Sequence, residues 1–99
     1  MSKYHAIRSG KYASKKEAKR AQELSLLERC GAITDLREQV RFEVIPATGG
    51  ERAAHYVADF VYCEDGEQVV EDVKGCRTPE YVLKRKLMMW RHGIKIRET

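Results

Sequence analysis

Asp65-Gly66 stands between two β-rich runs, residues 55–63 (HYVADFVYC) and 68–74 (QVVEDVK). That dipeptide is a strong signal for a two-residue hairpin turn, because both positions tolerate positive φ. With these two as the turn residues, Glu64 faces Glu67, Tyr62 faces Val69, and Asp59 faces Asp72. Opposed residues in antiparallel strands have Cβ atoms roughly 5 Å apart. Alternation then puts Val57, Asp59 and Val61 on the same face as Val70, Asp72 and Lys74. The hairpin thus sets two carboxylates side by side among valines, with a lysine two residues further on.

Like charges so placed repel, and half-buried carboxylates call for a compensating cation or a shared proton. Lys74 supplies one charge, and a divalent metal ion satisfies both carboxylates better. Two or three carboxylate ligands plus several waters suit Mg²⁺, which gives up its hydration shell reluctantly. Such an ion can polarise a phosphate and organise an attacking water. The plainer alternative is a hairpin edge whose acids face solvent beside a lysine. A slip of one residue in register would produce it.

The rest of the chain supplies helices to flank this hairpin. Ser14-Lys15-Lys16-Glu17 has the form of a capping box, Ala18, Ala21, Leu24 and Leu27 follow at helical spacing, and Gly31 is the stop. These predict a helix over 15–29. Residues 39–45 alternate as a strand before Pro46-Ala-Thr-Gly-Gly breaks it. Thr78-Pro79-Glu80 is a cap, a proline at the first helical position and an early acid. A second helix is expected to about Arg91, ended by Gly93, with Ile94-Lys95-Ile96 as a short last strand. The order αβββαβ describes an α/β fold, a mixed central sheet flanked by helices. Ninety-nine residues suit one domain, 1–99, with a basic arm over 1–13.

Net charge is only +4, but residues 1–20 hold seven basic side chains against one acid, Glu17. A second basic group, Arg77, Lys84, Arg85, Lys86 and Arg91, lies near the C-terminal end. Such clusters suit a polyanion through counterion release, or else form an ordinary solvated surface. Lys11, Lys15, Lys16, Gln39, Lys84 and Lys86 are the candidate nucleic-acid contacts. Met88, Met89 and Trp90 read as core or dimer contacts rather than a stacking platform for bases. The histidines share no ligand spacing. Cys30, Cys63 and Cys76 form no Cys-x-x-Cys pair, which argues against structural zinc and for reduced thiols. No apolar run approaches the ~20 residues of a membrane span, and no signal-peptide core opens the chain, so a cytoplasmic protein is expected.

Asp59 and the Asp72-Val73-Lys74 triplet, with twelve residues between them, resemble the PD-(D/E)XK, or restriction-endonuclease-like, nuclease superfamily. The αβββαβ order is that superfamily's core. In finer detail the chain is similar to a group of small phage-associated proteins catalogued as a domain of unknown function. The segments that carry this likeness are Ser14-Lys-Lys-Glu-Ala18, the Gln39 strand, Tyr56-Val-Ala-Asp-Phe60, Val70-Glu-Asp-Val-Lys-Gly75 and Leu83-Lys-Arg-Lys86. The resemblance implies that Asp59 and Asp72 bind metal, that Lys74 is catalytic, and that Glu17 adds the acid of the first core helix. It also makes the Val73 carbonyl a further ligand. Ala58 stands where the superfamily name has proline, a position that supplies no ligand.

The implied activity is a Mg²⁺-dependent endodeoxyribonuclease, with Mn²⁺ able to substitute. DNA is its partner, in a bacterium or a phage-infected host. A chain this small reads DNA shape more readily than a long sequence, as a junction or branch resolvase or a phage DNA-processing nuclease. A homodimer would let two sites cut two strands. The competing expectation is a non-catalytic DNA-binding module on a nuclease scaffold, although binding alone does not require opposed carboxylates. A third is an interaction protein whose arm only aids solubility. Glu17 is divided between metal binding and capping its own helix, and Glu71, on the opposite sheet face, is either a structural acid or one that supports the site from behind.

Overall fold

The computed structural model describes residues 12–73 and 77–99. The elements run α1 (Lys15–Arg29), β1 (Thr34–Ile45), β2 (Ala54–Glu64), β3 (Glu67–Asp72), α2 (Pro79–His92) and β4 (Arg97–Glu98). The protein is α/β, with the αβββαβ order expected. Its sheet is ordered β1-β2-β3-β4, antiparallel except for the parallel β3–β4 pair, so α2 is the crossover. Among the described residues no helix is long and apolar enough to cross a membrane.

Local chemistry explains each boundary. Ser14 Oγ accepts from the Glu17 amide at 3.0 Å and opens α1. Gly31, at φ +83°, closes it, with the Ala32 amide donating back to the Leu27 carbonyl at 2.9 Å. Thr78 Oγ1 accepts from the Tyr81 amide at 3.1 Å and opens α2 ahead of Pro79. Asp65 and Gly66 have φ of 54° and 79°, and the hairpin pairs Tyr62 with Val69 and Glu64 with Glu67 as expected.

Two boundaries are corrected. Residues 94–96 are not a strand. The Ile94 amide still donates to the Met88 carbonyl as part of the α2 cap, and Ile96 is buried in the core, so pairing with β3 begins only at Arg97. β1 starts at Thr34 rather than at Gln39. Its first half was hidden because Asp35 and Gln39 take positive φ, 56° and 54°, and interrupt the alternation.

The sheet is packed on both faces. Val44, Tyr56, Ala58, Val61, Val70, Tyr81, Met88 and Ile96 form the cluster beneath α2. Ala21, Leu24, Ile33, Phe60 and Tyr62 form the one beneath α1. The faces exchange partway along β1 and β2. Tyr56 and Ala58 face α2 on even numbers, yet Val61 does so on an odd one, and Phe60 and Tyr62 turn to α1. In β1, Val40 and Phe42 join the α2 cluster while Leu36 joins the other. Strict alternation through 57–61 is therefore overturned, and Val57 is 42% exposed instead of packing beside Val61. The exchange falls at Gln39 and at Asp59 opposite it, and the left-handed Gln39, at φ 54°, rotates β1 there.

Candidate active site

The register continues into the site. Glu38 pairs with Phe60 and Val40 with Ala58, which sets Gln39 opposite Asp59. Phe60 pairs with Glu71, so the next step sets Asp59 opposite Asp72, and Asp72 pairs onward with Glu98. Gln39, Asp59, Asp72 and Glu98 form one row across all four strands. The β2–β3 ladder stops at this row, and a side chain takes over from it. Asp59 Oδ2 accepts from the Val73 amide at 2.8 Å.

Asp59 and Asp72 open into one cleft, lined also by Tyr56, Val57, Thr78, Glu80, Tyr81 and Lys84. The first turn of α2 forms its far wall. Asp72 is buried, and Oδ2 accepts from the Tyr56 hydroxyl at 2.5 Å. Burial raises the Asp59 carboxyl to about 7, assisted by the nearby charges of Asp72 and Glu17 and opposed by the Val73 amide. Burial, followed by the bond to Asp72, also lifts the Tyr56 hydroxyl far above its ordinary range, so it stays a donor. Glu17 is buried on α1 at 5% exposure, and its Oε2 accepts from Gln39 Nε2 at 3.2 Å. Ser14 caps the Glu17 amide, while the Glu17 carboxylate turns to Gln39 in the row.

Asp59 and Asp72 thus meet as the hairpin register required, with Glu17 and Gln39 joined to each other beside them. Lys74 and Lys11 lie outside the described residues, as does Cys76. Val73 is half-buried next to Asp59. Lys84 reaches the cleft, its Nζ 3.0 Å from Glu80 Oε2. Lys86, Lys15 and Lys16 are exposed and are not among the cleft-lining residues. Cys30 and Cys63 are free thiols. Met88 is core, whereas Met89 and Trp90 are exposed, which corrects the core reading for those two.

Sequence reasoning missed Tyr56 and Tyr81. Tyr81 donates to Glu98 Oε2 at 2.6 Å, and Glu98 also receives Arg77 Nη2 at 2.6 Å and Arg85 Nη1 at 2.8 Å. Tyr56 sits three residues before Asp59, a spacing that uniform alternation assigns to the wrong face. Only the exchange of faces brings it to Asp72.

Asp59 and Asp72 bring two carboxylates to one cleft, and each raises the cost of ionising the other. Among the described residues no three His, Cys, Asp or Glu side chains cluster as a ready-made cage. An ion taking two carboxylates, a carbonyl and waters needs no such cage, and Mg²⁺ is bound in this manner. The donors are hard oxygens, which also fits Mg²⁺ or Mn²⁺ over softer ions.

A family model described as "Protein of unknown function (DUF1064)" matches residues 1–98. Comparison with curated proteins and with solved structures gave no match.

Proposed function

The chain belongs to the DUF1064 family, and we propose that it is a Mg²⁺-dependent endodeoxyribonuclease with a restriction-endonuclease-like core. The observation that carries this reading is the convergence of Asp59 and Asp72 at the end of a broken ladder, beside Glu17 on the first helix. Stability alone selects against such a gathering. The αβββαβ order and the spacing to Lys74 support the same reading.

Asp59, Asp72 and the Val73 carbonyl would hold the ion, with Glu17 facing it from α1. When bound, Mg²⁺ supplies positive charge against the phosphate oxygens and their leaving group. The protein's own groups do the positioning. The Val73 amide fixes the Asp59 carboxylate, and the Tyr56 hydroxyl fixes that of Asp72, which leaves little to reorganise when substrate arrives. Lys84 places a cation on the cleft wall to receive the backbone phosphate. Lys74, two residues beyond Asp72, orients the attacking water for in-line displacement. Substrate selection follows DNA shape, with junctions, branches or phage replication intermediates as the favoured class.

The test is incubation of supercoiled, linear and four-way-junction DNA with Mg²⁺, with Mn²⁺ and with EDTA. Nicking in either metal, abolished by EDTA and by Lys74→Ala, supports the reading. Binding without cleavage in any metal replaces it with the non-catalytic DNA-binding module.

A further inference from the structure

α2 presents two faces of opposite character. One carries Tyr81 and Met88 into the core. On the other, Leu83 is 56% exposed and Trp90 is 77% exposed. Seven residues separate them, so they share a side of the helix two turns apart, and Lys86 stands three after Leu83 and four before Trp90. Lys86 is exposed and has no ion pair among the described residues. The strip therefore combines an aromatic ring, an aliphatic side chain and an available ammonium group. Leu83, where it starts, is followed in sequence by Lys84, which projects about 100° further round the helix and lines the carboxylate cleft.

We infer that this strip is a stacking site for an unpaired DNA base, beside the cleft in which the strand is cut. The inference rests on the proposed nuclease reading and names its substrate class: DNA with single-stranded nucleotides next to the scissile phosphate. From Lys84 to Trp90 the helix rises about 9 Å and leaves the two side chains about a third of a revolution apart, so an unpaired strand that leaves Lys84 reaches the indole by wrapping round α2. A phosphate held at Lys84 leaves unpaired bases a few nucleotides away free to follow that path to the indole, which a stiff duplex cannot do. Aromatic faces bind unpaired bases without regard to sequence, and Lys86, on the strip itself, meets the backbone next to the stacked base. A blunt duplex keeps its bases stacked internally and has none to offer. A second copy of the chain fits this strip less well, because lysine is depleted at the centre of protein–protein interfaces.

Trp90 is the chain's sole tryptophan, so its emission reports on the strip directly. The experiment titrates the full chain, in EDTA to keep the DNA intact, with a gapped duplex and with a blunt duplex of equal length. The gapped DNA should quench the emission to saturation, and the blunt duplex should leave it nearly unchanged. By anisotropy of labelled DNA, Trp90→Ala should weaken gapped-DNA binding about tenfold and leave blunt-duplex binding alone, while Trp90→Phe restores most of the loss. Gapped DNA that binds without quenching overturns the inference, as does a failure to bind gapped DNA at all. A blue shift that tracks protein concentration and dimer formation without DNA assigns the strip to a second copy and also overturns it. Cleavage that fails in Mg²⁺ while quenching persists removes the nuclease reading alone.

Discussion

The two sides of the sheet around β3 each hold a buried or half-buried acid, and they treat it in opposite ways. Glu71 is fully buried beneath α1. Its carboxylate receives Arg20 through Nε at 2.6 Å and Nη2 at 3.1 Å, together with the Tyr62 and Thr99 hydroxyls. Burial alone would raise that carboxyl, but those donors outweigh it and hold the group below its ordinary range. Asp59, on the cleft side, is held toward its protonated form at about 7 by burial and by neighbouring acids. The fold gives Glu71 four donated hydrogen bonds, whereas Asp59 has the Val73 amide and two neighbouring acids. The partners around each carboxylate, donors at Glu71 and other acids at Asp59, set the opposite directions of their shifts.

The contrast gives opposite pH dependences. A lowered carboxyl such as Glu71 contributes stability above its unfolded value near 4.5, and this is lost as pH falls through the folded value. A raised one works in reverse. Asp59 lowers metal-free stability progressively as pH climbs from about 4 to about 7, with the full penalty above that.

Removing the completion on the α1 side should have the largest effect. Arg20→Met strands Glu71 in the interior and should cost about 3 kcal/mol by urea denaturation at pH 7. A loss under about 1 kcal/mol would mean that the two hydroxyls satisfy Glu71 without help. Tyr56→Phe takes one donor from Asp72 and should cost about 1 kcal/mol, with weaker Mg²⁺ binding by calorimetry. Unchanged metal affinity would limit Tyr56 to a packing role. Asp59→Asn keeps an acceptor for the Val73 amide and removes the excess charge. Without metal it should gain a few tenths to about 1 kcal/mol at pH 8 and nothing at pH 4. A loss at pH 8 would place Asp59 among the structural acids. Smallest is Lys84→Ala, which breaks an exposed pair with Glu80 and should shift stability by about 0.5 kcal/mol or less. It should still lower the slope of DNA affinity against salt by about one contact. An unaltered slope would remove Lys84 from the DNA path.

Much of this architecture was legible because it is written in local chemistry. Asp65-Gly66 sets the hairpin, Ser14 and Thr78 set the helix starts, and the register follows by counting. Asp59 beside Asp72 was legible for the same reason. The exchange of faces at Gln39 and Asp59 was not, since a positive φ at a glutamine leaves no mark in composition. With it went Tyr56, and with it came the misplacement of Val57. The network around Glu98 was hidden too, because it joins α2 to a two-residue strand that pairs only after Ile96 has entered the core.

On the proposed reading, a divalent cation finishes the Asp59–Asp72 row. Melting curves of the wild type and of Asp59→Asn at pH 8, each in EDTA and in 10 mM Mg²⁺, test it most directly. For a site of about 1 mM affinity, Mg²⁺ should stabilise the wild type by about 1.4 kcal/mol, a shift of several degrees. Asp59→Asn should melt above the wild type in EDTA and respond little to the metal. A wild-type melt indifferent to Mg²⁺, or an equal rise in both proteins, would contradict the account.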